Sequence, residues 1–168
     1  EVRPYKNMEN VFRALELWPD GPQLAISGKI FGAHKAKLEN LARSLNIENR
    51  VTWLGYVPDD LLPNLYSEAA AFIFPSLYEG FGLPILEAMA CGCPTLSSNM
   101  ASLPEIGGKA AHFFDPKEIG DMAEAIKKVC EDSVYRQKLA QGGPKHAKKF
   151  SWESSTKKHM ELFETVLN

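Results

Sequence analysis

Apolar positions along this chain fall into helical and strand-like stretches that alternate from end to end. Met8, Val11, Phe12, Leu15 and Trp18 recur near helical spacing and predict a helix from Asn7 to Trp18, which Pro19-Asp-Gly-Pro22 closes before a strand over Gln23 to Ser27. His34 to Leu45 reads as a second amphipathic helix and Arg50 to Gly55 as a strand. Asp59 to Ser67 reads as a short helix whose opening acids suit the positive end of its dipole. The unbroken run Ala69-Ala-Ala-Phe-Ile-Phe74 predicts a buried, central strand, and Leu83 to Cys91 a helix with Pro84 at its first position, where the missing N–H costs nothing. Pro94 to Ser98 and Ala110 to Phe114 are further strands, joined by a short turn at Leu103 to Ile106. Glu118 to Cys130, Ser133 to Gln141 and Ser154 to Leu167 are helical, with Gly142-Gly-Pro144 expected to interrupt the last two. Alternation of this kind predicts an α/β fold, a Rossmann-like, doubly wound parallel sheet flanked by helices.

With 168 residues the chain can bury most of the surface its unfolded form exposes, so residues 1–168 are expected to form a single domain. The longest apolar run is six residues, far short of the roughly 20 needed to span a bilayer, and no signal-peptide pattern opens the chain. Cys91, Cys93 and Cys130 are odd in number and sit in apolar surroundings, which fits reduced, packed thiols in a cytoplasmic protein better than a disulfide scaffold.

The chemistry concentrates in Glu79-Gly-Phe-Gly-Leu-Pro-Ile-Leu-Glu87, where two carboxylates eight positions apart bracket a glycine turn and the start of a helix. A turn from strand to helix aims the free N–H groups of the helix start at whatever lies beyond the strand's carboxyl end, and an anion is the natural guest. Gly80 and Gly82 are expected to allow backbone conformations closed to other residues and to let a ligand approach the main chain. A carboxylate accepts two hydrogen bonds from neighbouring hydroxyls, so Glu79 and Glu87 suit a ligand carrying both a ribose and a hexose. The glycine turn by itself is equally compatible with tight strand–helix packing.

The longer stretch Pro75-Ser-Leu-Tyr-Glu-Gly-Phe-Gly-Leu-Pro-Ile-Leu-Glu-Ala-Met-Ala-Cys-Gly-Cys-Pro-Thr95, followed by Ser102-Leu-Pro-Glu105, closely resembles the donor-site block of the retaining family-four glycosyltransferases of GT-B architecture. The resemblance runs from about Lys6 to the C-terminus, takes in Val51-Thr-Trp-Leu-Gly-Tyr-Val57 and Phe150-Ser-Trp152, and corresponds to the C-terminal half of that fold. It implies that this domain binds a nucleoside-diphosphate sugar as donor, with no separate cofactor. A missing N-terminal domain would supply the glycan or lipid-linked acceptor, and the isolated half is expected to be inactive. Within that frame Glu87 holds the ribose and Glu79 the transferred sugar, while Gly80, Phe81, Gly82 and Leu83 line the diphosphate. Lys6 matches the family's diphosphate-binding lysine. Arg3 is the candidate for its companion arginine, although the matching position holds Glu1. The resemblance also places Gly28 in the nucleotide crevice and has Val57 read the edge of the base through its main chain.

From the residues alone, the alternative readings are Lys6 and Arg3 as solvated charges near a terminus, Gly28 as a turn glycine and Tyr56 as a half-buried aromatic. Ser102-Leu-Pro-Glu105 is expected to border the donor pocket or to pair locally. No Asp-x-Asp occurs and His34, His112, His146 and His159 are scattered, so metal-independent transfer is expected. The wording from Ser98 to Glu105 and from Gly107 to Ala111 is similar to mannosyltransferases, which favours GDP-mannose, with a UDP-glucose-type donor as competitor. From Arg136 to Lys158 seven Lys or Arg residues face one acidic residue, although the whole chain is formally −2. That bias suits peripheral contact with an anionic membrane face, or simply the solvated sides of two helices. No feature suggests nucleic acid. A non-catalytic nucleotide-binding or interaction module on the same fold remains an alternative. A dinucleotide-dependent oxidoreductase would need a glycine fingerprint that this chain lacks.

Overall fold

A computed structural model describes residues 1–167. Among the described residues five strands, β1 (Leu24–Ser27), β2 (Val51–Gly55), β3 (Phe72–Phe74), β4 (Thr95–Ser98) and β5 (Ala111–Phe114), alternate with helices as the apolar periods require. The helices are α1 (Met8–Glu16), α2 (Gly32–Ser44), α3 (Leu62–Glu68), α4 (Leu83–Ala90), α5 (Leu103–Gly107), α6 (Ile119–Glu131), α7 (Ser133–Ala147) and α8 (Trp152–Leu167). All pairing is parallel, and it falls into two ladders, β1 with β2 and β3-β4-β5, so the predicted α/β class with helix-flanked parallel strands holds.

Within the larger ladder β4 is the middle strand, not β3. All four β4 residues are buried, as a strand covered on both faces requires, and its small hydroxyls find partners at hand. Thr95 Oγ1 donates to the Cys93 carbonyl at 3.0 Å, Ser97 Oγ to the Ser98 carbonyl at 3.1 Å, and Ser98 Oγ accepts from the Met100 N–H at 3.1 Å. Of the run expected to form the central strand, only Phe72–Phe74 pairs, and it does so on one side, while Ala69 to Ala71 lead into it from α3.

The main core joins α1 to α6 and spans both ladders: Val11, Phe12 and Leu15 cluster with Met122 and Val129, with Ile26, Leu38, Leu96 and Phe114 completing it. A second cluster of Phe74, Ile85, Met89 and Leu103 seats α4 and α5 beside β3. By contrast α8 buries none of its residues, and Trp152, Met160, Phe163, Val166 and Leu167 are all exposed.

Local boundaries differ from expectation for physical reasons. Leu61 and Leu62 both donate to the Pro58 carbonyl in a turn, which delays α3 to Leu62 and leaves Asp59 and Asp60 outside it. α8 starts at Trp152 because Ser151 Oγ accepts the Ser154 N–H at 3.1 Å, a side-chain cap. The larger correction concerns Gly142-Gly-Pro144, which does not interrupt a helix, since α7 runs through it to Ala147. Gly143 is needed there for proximity rather than for a turn. A Cβ at this position would lie 3.0 Å from the Met89 carbonyl oxygen and 3.1 Å from its Cα, so α7 approaches the backbone of α4 where no side chain fits.

Gly142, one residue earlier, has open space beside it. Gly143→Ala is therefore expected to destabilise the chain by about 1–3 kcal/mol through overpacking. Gly142→Ala should be neutral or stabilise by up to about 1 kcal/mol through helix propensity. Urea unfolding of both variants checks the contrast, and equal effects would refute the close-approach role.

Candidate functional site

The first seven residues hold the site together. Val2 N–H donates to the Lys29 carbonyl at 2.8 Å, in the loop after β1, and Leu77 N–H donates to the Tyr5 carbonyl at 2.8 Å, in the loop after β3. Asn7, in the left-handed region at φ 59°, ends the 3-10 turn Pro4–Lys6 and is the N-cap of α1. Its amide donates to the Pro116 carbonyl at 2.8 Å after β5, joined there by Asn10 at 3.0 Å. One segment thus ties the loops that follow three parallel strands.

That course delivers Lys6 to Glu79. The ammonium lies 2.5 Å from Glu79 Oε1 and 4.6 Å from the centre of the Phe74 ring, and both charged side chains are largely buried at 22% and 16% exposure. A fixed cation is attracted by the ring face as well as by the carboxylate. Removing either member of such a pair would strand the other with reduced hydration.

The backbone of the Glu79 loop is held from the other side by Ser102, the N-cap residue of α5, whose hydroxyl lies 3.0 Å from the Glu79 carbonyl and 3.2 Å from the Phe81 carbonyl. Sequence reasoning set this segment at the pocket border without assigning Ser102 a task. A hydroxyl preceding Leu-Pro was the available signal, but its partners lie more than twenty residues away. Gly82 then turns the chain into α4 at φ 107°, and a Cβ there would meet Leu103 Cδ2 at 2.8 Å. Gly80 is different. It has no positive φ and faces open space, so it is required for no backbone conformation and contributes only the absence of a side chain. The N–H groups of Phe81, Gly82 and Leu83 donate to no group among the described residues, as is usual in the first turn of a helix.

Glu87, the second carboxylate, is exposed on α4 and accepts a hydrogen bond from the Tyr66 hydroxyl, 3.2 Å from Oε2. Gly28 and Gly55 end β1 and β2 with positive φ, and the Gly28 N–H donates to the Gly55 carbonyl at 2.6 Å. This bond brings the Gly28 loop to the segment carrying half-buried Val57. Tyr56 is exposed rather than half-buried, with the Lys29 ammonium 5.4 Å from its ring centre. Arg3 is not brought to the Lys6–Glu79 pair; its guanidinium binds Glu1 Oε2 at 2.8 Å in solvent. Cys93 is a packing residue, its thiol pushed up to about 12 chiefly by burial and then by Cys91. No helix among the described residues is long and apolar enough to cross a membrane, and none of their His, Cys, Asp and Glu side chains gather as a potential metal-binding group.

This arrangement of a cation, two acceptors and free N–H groups around a strand-to-helix turn is chemically suited to a ligand with phosphate and hydroxyl groups. Residues 1–146 match the family described as glycosyl transferases group 1. The chain belongs to that family. It is 38% identical over 169 residues to the O-antigen chain mannosyltransferase B of Escherichia coli, across 98% of this chain and 44% of that protein. The serotype-specific mannosyltransferase WbdA of Escherichia coli is 34% identical over 173 residues, which cover 99% of this chain and 21% of WbdA. Among solved structures, sucrose-phosphate synthase from Thermosynechococcus elongatus superposes with a TM-score of 0.87 at 28% identity, over 98% of this chain and 43% of that one. Anabaena HepE in complex with UDP gives 0.88 at 24% identity, over 98% and 47%, a likeness of fold. The chain spans less than half the length of these relatives.

In this group 1 glycosyltransferase chain the two loop glycines should separate by experiment. Gly82→Ala is expected to lose about 1–3 kcal/mol of stability through backbone strain. Gly80→Ala should melt with the parent while binding nucleotide more weakly. Thermal melts and nucleotide titration of both variants check this, and unchanged nucleotide affinity in Gly80→Ala would remove Gly80 from the site.

Proposed function

We propose that this chain is the donor-binding, C-terminal half of a GT-B hexosyltransferase. It binds a nucleoside-diphosphate sugar, GDP-mannose foremost, for transfer with retention to a glycan or lipid-linked acceptor presented by an N-terminal domain. The observation that carries this reading is the largely buried Lys6–Glu79 pair beside the free N–H groups at the start of α4. In a cleft these place positive charge where a diphosphate departs and negative charge where the transferred sugar becomes cationic, and fixed electrostatics of that kind are a large part of enzymatic rate enhancement. The mannosyltransferase names of the E. coli relatives support the choice of mannose.

In this mechanism Lys6 and the N–H groups of Phe81, Gly82 and Leu83 hold the diphosphate and stabilise the charge that grows on it. Arg3 joins them only by leaving Glu1. Glu79 accepts hydrogen bonds from the sugar hydroxyls and stabilises the oxocarbenium-like sugar. Glu87 accepts from the ribose, while Gly28 and the Val57 main chain border the nucleoside. The chemistry needs no metal, because the lysine and the helix start neutralise the leaving group. The donor is a substrate rather than a cofactor. The enzyme operates in the cytoplasm, with the basic stretch from Arg136 to Lys158 touching the membrane face where a lipid-linked acceptor resides. A UDP-glucose-type donor is the second reading, supported by Anabaena HepE, solved with UDP-glucose.

Glu79→Ala in the complete enzyme is expected to lower kcat roughly a hundredfold or more while leaving nucleotide affinity unchanged or tighter, since the loss falls on an interaction made mainly in the transition state and Lys6 is freed for the diphosphate. Equal losses in both would refute its assignment to the transferred sugar. Calorimetric titration with GDP-mannose, UDP-glucose and ADP-glucose should rank GDP-mannose first, and a tighter UDP-glucose isotherm would replace the mannosyl reading with the glucosyl one.

A further inference from the structure

Tyr66 stands near the end of α3 as a buried ring, 9% exposed, set edge-on to Phe72 with centroids 5.3 Å apart and packed among Ala88, Cys93 and Leu62. Phenylalanine could fill this space with no polar atom. The phenol instead needs a partner, since a buried tyrosine hydroxyl is stable only when hydrogen-bonded. The partner it has is the Glu87 carboxylate, 3.2 Å away on Oε2 and 21 positions along the chain. Burial, and then the nearby Glu87 charge, push the phenol's pKa well above its ordinary value, so Tyr66 remains a proton donor throughout the neutral range. Glu87 for its part is an exposed side chain with rotatable bonds, and ordering it at the moment of binding would weaken the ligand.

We infer that Tyr66 is a positioning residue for donor recognition, its hydroxyl holding Glu87 Oε2 so that Oε1 is left to accept from the ribose hydroxyls. This rests on the reading that Glu87 binds the ribose. Tyr66 touches no reacting atom. A rigid aromatic ring on α3 fixes a flexible carboxylate on α4, and the entropy of ordering that carboxylate is met in folding rather than in binding. Phenylalanine at the same position would keep the edge-on packing and lose only the anchor.

The test is calorimetric titration of the full chain with GDP, UDP and their 2′,3′-dideoxy forms, in the parent, Tyr66→Phe, Glu87→Gln and the double variant. The parent should prefer the ribose form. Tyr66→Phe should shrink that preference by roughly three- to tenfold, the weight of one hydrogen bond to a charged group, while leaving the dideoxy affinity unchanged. In the Glu87→Gln background it should add nothing further. Should Tyr66→Phe melt below the working temperature, titrating all four proteins at a lower temperature gives the same comparison. A packing role would weaken ribose and dideoxy forms alike. That result, or an unchanged preference in Tyr66→Phe alongside a lost one in Glu87→Gln, overturns the positioning role and leaves the ribose reading intact. If Glu87→Gln keeps the full preference, or neither diphosphate binds, the ribose reading itself fails and takes the positioning role with it.

Discussion

The site depends on one geometric constraint: a seven-residue segment before α1 is bonded across the carboxyl ends of strands from both ladders. Among the described residues β1–β2 and β3-β4-β5 share no ladder hydrogen bonds, so the shared core and this segment set the loops after β1 and β3 relative to each other. Val2 fixes the segment to the first ladder through Lys29, and Tyr5 fixes it to the second through Leu77. These are backbone bonds, insensitive to side-chain rotamers, and Asn7 adds a buried amide to Pro116 beyond β5. Lys6, between the anchors at Tyr5 and Asn7, has little choice of position. Its pairing with Glu79 follows from the course of the chain as much as from charge.

The two carboxylates of the motif are consequently unequal. Glu79 sits in a loop whose main chain is gripped by Ser102 and whose side chain is gripped by Lys6, so its oxygens have a set position before any ligand arrives. Glu87 projects from a helix into solvent with Tyr66 as its anchor. The carboxylate proposed to face the developing sugar cation is the one bound from two sides, which is where catalysis would gain most from preorganisation.

Much of this was legible in the sequence. Alternating apolar periods specify parallel pairing with intervening helices because a parallel connection needs a crossover, and Glu79-Gly-Phe-Gly-Leu-Pro-Ile-Leu-Glu87 is contiguous, so its strand–turn–helix course is a local property. Gly82 needs the backbone freedom expected of it, whereas Gly80 does not, and no sequence pattern separates the two. What escaped were facts of the third dimension. The position of Ser102 under the loop, the reach of Tyr66 to Glu87 and the separation into two ladders depend on how elements pack rather than on their spacing. Gly142-Gly-Pro144 misled for the same reason. A glycine that permits close helix packing looks, in one dimension, like a glycine that ends a helix, and only the Met89 backbone facing Gly143 distinguishes them.

The Lys6–Glu79 pair also constrains how a donor can bind. Each charge is the other's partner, and both are largely withdrawn from water. A diphosphate that draws Lys6 toward itself leaves Glu79 short of a donor unless hydroxyl groups arrive with it, and an uncompensated, poorly hydrated carboxylate is unfavourable. A sugar attached to that diphosphate supplies those hydroxyls at the same moment. The ion pair therefore couples recognition of the two halves of the proposed donor: phosphate binding is fully favourable only when sugar is present to replace the lysine at Glu79. A charge pair that looks like simple structural cement acts, in this reading, as a filter for intact donor over the bare nucleotide left after transfer, and so favours product release.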